Sequence, residues 1–165
     1  MAEEDDSIRP IVALNVVNPA TKERISTYAL LDTGSDRDVI DESLAKELKL
    51  KTRSRMMNVQ VLGVQDLSPR DVASISITSI DGKYEAEVEN ALVGNLLTCN
   101  SDIPPAKRNF DRLQHLAHLE FYDIDADIRM IISVDHCESL AAVDPNCFVN
   151  GPPHAVKTAF GWTIL

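Results

Sequence analysis

Cysteine is scarce in this 165-residue chain: Cys99, Cys137 and Cys147 are odd in number and form no Cys-x-x-Cys pair. That argues against a disulfide framework or a cysteine zinc site and fits reduced thiols in a cytoplasmic setting. Positive charge is also short, with 16 Lys and Arg against 26 Asp and Glu and a net charge of −10. Nucleic acid and anionic membranes are held by clustered cations, so neither partner is expected. No apolar run approaches the roughly 18–20 residues needed to span a bilayer. The N-terminus lacks the basic-then-apolar pattern of a secretory leader. Internal repeats and low-complexity tracts are missing too.

What is present is a chain of single-domain size, 44% hydrophobic, able to form its own core. Residues 1–8, with Glu3-Glu4-Asp5-Asp6, are expected to be a disordered acidic tail ahead of one domain over 9–165. Ile11 to Val17 and Arg24 to Leu31 have strand composition and flank a turn at Asn18-Pro19-Ala20-Thr21. Asp41 or Ser43 can cap a short helix through Leu44, Ala45 and Leu48. Met57 to Val64 and Val72 to Ile80 alternate in polarity, with a turn expected at Ser68-Pro69-Arg70-Asp71. Asp81-Gly82 signals a hairpin into a strand from Tyr84 to Val93. After Ile103-Pro104-Pro105, the spacing of Phe110, Leu113, Leu116, Ala117 and Phe121 predicts a helix over about 106–119. Met130-Ile131-Ile132 reads as a buried strand, Cys137 to Val143 as a short helix, and Phe160 to Leu165 as a closing strand.

The chemistry concentrates at Asp32-Thr33-Gly34-Ser35, behind the apolar Ala29-Leu30-Leu31 and ahead of Val39-Ile40. The tripeptide Asp-Thr-Gly alone arises by chance in roughly one chain in thirty of this length, so its apolar setting is what gives it meaning. Two carboxyls roughly 3 Å apart cannot both ionise easily, which leaves one as a base for water and the other as a proton donor. Such a pair titrates as a unit. The motif occurs once, so the second carboxyl is expected from a second copy of the chain. Gly34 permits a close backbone turn, Thr33 offers a hydroxyl across a two-fold axis, and Ser35 can bond the outer carboxylate oxygen.

The run Ala29-Leu-Leu-Asp-Thr-Gly-Ser-Asp-Arg-Asp-Val-Ile40 resembles the signature of retropepsin-like aspartic peptidases. With Leu44 to Leu50, His118 to Phe121 followed by Ile131-Ile-Ser-Val-Asp-His136, and Ala155 to Leu165 with its Gly161-Trp162, it is similar to the peptidase domain of Pao/BEL-type retrotransposon polyproteins. The resemblance implies a mainly β, closed, barrel-like acid-protease fold with one or two short helices. It implies a homodimeric aspartic endopeptidase acting on polypeptides, with Asp32 catalytic, no metal and no organic cofactor. It also implies a flap, for which Leu62, Gly63 and Val64 lie at the right distance to form the tip and contact substrate. Where the family has glycine after two apolar residues, this chain has Ser133, whose Cβ either distorts the site or is absorbed locally. The chain ends at Leu165, where members of that family continue.

Other constellations are weaker. Asp123-x-Asp125-x-Asp127 resembles a calcium loop but lacks the glycine and glutamate that complete one. His115 and His118 have no third ligand in register. Asp135-His136 has no accompanying nucleophile motif, and Asp135 is expected to cap the following helix. Trp162 reads as a core or dimer anchor. The competing function is a catalytically inactive module of the same fold that holds a peptide or protein.

Overall fold

The computed structural model describes residues 8–61, 63–96, 102–133, 136 and 148–165. Ten strands, the short helix Glu42–Glu47 and a 3-10 turn are the main regular elements among the described residues. Strands β1 (Ile11–Val17) and β2 (Arg24–Leu31) form the expected hairpin. They are followed by β3 (Val39–Asp41), helix α1 (Glu42–Glu47), β4 (Thr52–Val61), β5 (Val64–Ser79), β6 (Glu85–Gly94) and β7 (Ile128–Ile132). These seven strands order as β1-β2-β7-β3-β6-β5-β4. A further β1–β5 pairing closes six of them into a barrel, with β4 outside it. The chain therefore has the mainly β, closed, barrel-like architecture expected from its sequence.

The apolar runs are explained by burial on both faces. In β1, Val12, Leu14 and Val16 point into the barrel while Ile11 and Ala13 pack outside it. Strand β2 divides the same way, with Ala29 and Leu31 inside and Tyr28 and Leu30 outside. Met130 and Ile132 of β7 join the inner core and Ile128 the outer one. Each Leu or Ile so buried contributes roughly 1.5–3 kcal/mol. A second sheet, ordered β10-β9-β8, comprises β8 (Phe148–Val149), β9 (Ala155–Thr158) and β10 (Gly161–Ile164). It covers a third cluster around Leu116, Ala155 and Ile164, against which Trp162 and Ile8 pack. Thr163 Oγ1 donates to the Ile11 carbonyl at 2.8 Å, tying this sheet to the barrel.

Three expectations from the sequence need correction. Residues 106–119 are not an α-helix: Pro105–Lys107 is a single 3-10 turn, and successive turns follow, closed by Leu113 N–H to Phe110 C=O and Leu116 N–H to Leu113 C=O. Asn109 Oδ1 takes the Asp111 N–H, a local bond that competes with helix formation. Phe110, Leu113, Leu116 and Phe121 still reach one cluster, while Ala117 is exposed, because turns of three to four residues reproduce helical spacing. Ser68-Pro69-Arg70-Asp71 is not a turn either. Strand β5 runs straight through it, paired with β4 from Val64 to Ala73. Its pairing with β6 begins only at Val72, so Pro69 lies where β5 has a free edge, the place a strand tolerates proline. Finally, Phe160 lies in the turn before β10 instead of in the closing strand. The expected helix over Cys137 to Val143, the capping role of Asp135 and all three cysteines lie outside the described residues.

Asp41, not Ser43, caps α1. Its Oδ2 accepts from the Ser43 N–H at 2.9 Å and from the Ser43 hydroxyl, and its Oδ1 takes the Leu96 N–H at 2.8 Å. Burial opposes ionisation of this carboxyl, but the bonds from the Ser43 hydroxyl, Leu96 N–H and Ser43 N–H outweigh it and hold its pKa below the ordinary value. Asp41→Ala should destabilise the fold by about 2 kcal/mol at neutral pH, through a lost cap and an orphaned buried N–H. A group with a depressed folded pKa stabilises fully above its unfolded pKa and loses that contribution as pH falls through the folded value. The gap between wild type and variant should thus shrink below about pH 4. Denaturant titrations at both pH values measure it; a gap independent of pH would contradict the assignment.

Candidate active site

Strand β7 lies between β2, with which it is parallel, and β3, with which it is antiparallel. The chain leaves β2 at Leu31, crosses the end of β7, and returns as β3 on the far side. Asp32 to Asp38 form that crossing, which brings Asp32 beside the residue that follows β7. The Asp32 N–H donates to the Ile132 carbonyl at 2.9 Å, and the preceding Leu31 N–H donates to the Pro10 carbonyl at 2.8 Å. A buried sheet thus delivers a half-buried carboxyl at its rim.

The turn itself is built as the sequence indicates. The Gly34 N–H donates to Asp32 Oδ1 at 2.9 Å, and the Ser35 N–H to the Asp32 carbonyl at 3.2 Å. A Cβ on Gly34 would sit 3.3 Å from Asp32 Oδ1, tighter than ordinary van der Waals contact, so glycine allows the backbone to hold the carboxylate this closely. Thr33 and Gly34 are exposed on the outer side of the turn. Ser35 departs from expectation: its hydroxyl donates to the Arg37 carbonyl at 2.8 Å. It braces the loop instead of bonding the acid. Asp32 to Ser35 are therefore brought together in one turn.

Gly63 and Val64, expected at a flap tip, belong to a different part of the molecule. Strands β4 and β5 form a long two-stranded arm, paired to its tip at Val61 and Val64. Gly63 turns the tip with φ +79°, a backbone conformation that favours glycine, and Val64 is exposed. Leu62 lies outside the described residues. Among the described residues no hydrogen bond joins this tip to Asp32.

Sequence reasoning missed Asp38, and it weighed His136 only beside Asp135 and set the pair aside. Asp38 closes the crossing loop and is buried; its Oδ1 accepts the Ser133 N–H at 2.9 Å, and its Oδ2 lies 2.7 Å from His136 Nδ1. The available signal was a charged residue directly before the apolar Val39-Ile40. Ser133 is itself buried, so its side chain is accommodated at the end of β7. Next to it a polar recess of about 300 Å³ is lined by Asp36, Arg37, Glu87, Glu89, Asn90 and His136.

The remaining candidates stand apart. His115 Nε2 lies 3.0 Å from the Pro153 carbonyl, Asp123 pairs with Lys107, and the Asp127 carbonyl accepts from Thr27 Oγ1 and the Tyr28 N–H. No group of three or more His, Cys, Asp or Glu able to hold a metal occurs among the described residues. No helix among them is long and apolar enough to cross a membrane. Comparison with known protein families finds no match, and comparison with curated proteins finds none either.

Proposed function

We propose that the chain is a retropepsin-like aspartic endopeptidase that works as a homodimer, with one Asp32 from each copy. The observation that carries this reading is the Asp-Thr-Gly turn at the rim of a closed barrel, with the Asp32 carboxyl bonded by the Gly34 N–H. Two such carboxyls brought to about 3 Å share one proton, the arrangement known for aspartic proteases. The charged partner takes a proton from water as the water attacks the substrate carbonyl. The protonated partner polarises that carbonyl and then donates to the leaving amine. The exposed Thr33 and Gly34 leave room for a twin turn to approach, and Thr33 supplies a hydroxyl for a bond across the two-fold axis. In this reading the β4–β5 arm is the flap, with Leu62, Gly63 and Val64 at its tip. The substrate is a polypeptide, and the role is processing of a Pao/BEL-type retrotransposon polyprotein in the cytoplasm. The chemistry draws on protein carboxyls and water, without metal or organic cofactor.

Digestion of casein or a peptide library at mildly acidic pH, with and without pepstatin, tests the proposal. Cleavage that pepstatin suppresses is the expected result. Sedimentation should show a dimer under the same conditions. A folded chain that binds peptide without cutting it would instead be an inactive binding module, and the endopeptidase reading would be wrong.

A further inference from the structure

One peptide unit, Ile132–Ser133, touches both ends of the crossing loop. Its carbonyl accepts the Asp32 N–H at 2.9 Å, and its N–H donates to Asp38 Oδ1 at 2.9 Å. We propose that Asp38 is a positioning residue for the catalytic carboxyl, acting through this shared peptide, with His136 Nδ1 packed against its other oxygen. The inference rests on the endopeptidase reading and adds residues that its motif does not contain.

Asp38 is only 8% exposed, and a buried carboxylate is costly unless its oxygens are satisfied. Oδ1 has the Ser133 N–H, and Oδ2 has His136 Nδ1 at 2.7 Å. The Asp38 carbonyl takes the Leu92 N–H at 2.9 Å, so its backbone is fixed on the β6 side as well. The His136 N–H donates to the Ser133 carbonyl at 3.1 Å, and this turn swings the imidazole back onto Asp38. Residue 133 thereby serves this clamp through its backbone N–H and C=O.

A peptide hydrogen-bonded at both its N–H and its C=O is polarised, and each bond strengthens the other. Loosening Asp38 frees the Ser133 N–H and so weakens the bond that sets the Asp32 backbone. A carboxyl shared between two subunits is sensitive to such movement, because a misplacement of about 1 Å can cost roughly a hundredfold in rate. His136 Nδ1 lies within ion-pair distance of Asp38 Oδ2. The other charged groups facing the pair are Asp36 and Arg37 from the loop, and Glu87 and Glu89 from β6.

The test compares Asp38→Ala, Asp38→Asn, His136→Ala and His136→Gln with wild type, counting competent sites by pepstatin titration. Per titrated site, Asp38→Ala should lower kcat about 10- to 100-fold with KM within about twofold. Asp38→Asn, which still offers an oxygen to the Ser133 N–H, should lose less. His136→Gln, whose amide can reach Asp38 Oδ2, should recover part of what His136→Ala loses. An unchanged kcat per titrated site in both Asp38 variants would overturn the inference, even if fewer sites form. Should Asp38→Ala fail to fold, Asp38→Asn and His136→Ala decide the matter. Amide hydrogen exchange gives a readout that needs no activity. Asp38→Asn should speed exchange at Asp32 to Ser35 while β1 and β2 stay protected. If wild type does not cleave but this local loosening occurs, the peptidase reading falls and the clamp stands. If wild type cleaves and no loosening occurs, the clamp falls alone.

Discussion

Asp32→Asn should abolish peptide cleavage while leaving the fold and the dimer intact. Asparagine has nearly the same shape, and its Oδ1 can still accept the Gly34 N–H that holds the carboxylate at 2.9 Å. What disappears is the ability to gain and lose a proton, on which both the activation of water and the protonation of the leaving amine depend. Each of those roles is worth about 10²–10⁴-fold in rate, so residual turnover should fall below detection. Far-ultraviolet circular dichroism and sedimentation should match wild type. A mixture of wild-type and variant chains carries the sharper result. If both carboxyls of a dimer are needed, activity falls with the square of the wild-type fraction; if one chain suffices, it falls in simple proportion. Retained cleavage in pure Asp32→Asn, or a linear mixing curve, would be incompatible with a paired-carboxyl mechanism.

Phe160→Ala should cause a large loss of stability. Phe160 is 1% exposed and belongs to the barrel core although it sits on the turn between β9 and β10. Its ring meets Tyr84 edge-on at a centroid distance of 5.3 Å. Thr158 Oγ1 accepts the Phe160 N–H at 3.1 Å and fixes the turn that carries it. Truncation removes a buried aromatic and leaves a cavity that rigid strands cannot collapse, at a cost of about 3–5 kcal/mol. For a domain of this size that lowers the unfolding midpoint by about 10 °C. Because this side chain pins the C-terminal hairpin to the barrel, amides of β9 and β10 should lose protection before those of β1 and β2. A midpoint shift of about 2 °C or less, within the scale of one surface substitution, would show that the hairpin does not depend on this anchor.

The sequence was most legible where a local pattern and its burial agree. β1, β2 and β7 read as strands because β-branched and apolar residues fill both faces of each. The Asp32 turn read as a site because a short polar motif interrupts such a run. The stretch after Pro105 misled because apolar residues three and four apart satisfy a chain of turns as well as a helix. Ser68-Pro69 misled because turn-forming residues are also tolerated in a two-stranded arm with a free edge. The Ser35 hydroxyl could reach either the acid or the loop backbone, and only the coordinates show that it takes the Arg37 carbonyl. Asp38 lay hidden for a different reason. Its partner Ser133 is 95 residues away, and the two meet only because β7 enters the sheet between β2 and β3.

That insertion also sets a timetable for biosynthesis. Leu31 and Ile132 are register partners in adjacent strands, so the Asp32 N–H lacks its acceptor until Ile132 has been made. At about 5–20 residues per second a ribosome needs roughly 5–20 s to bridge that gap. A nascent chain therefore emerges with its acidic turn one backbone bond short, and that bond closes only when the last strand of the barrel slides into place.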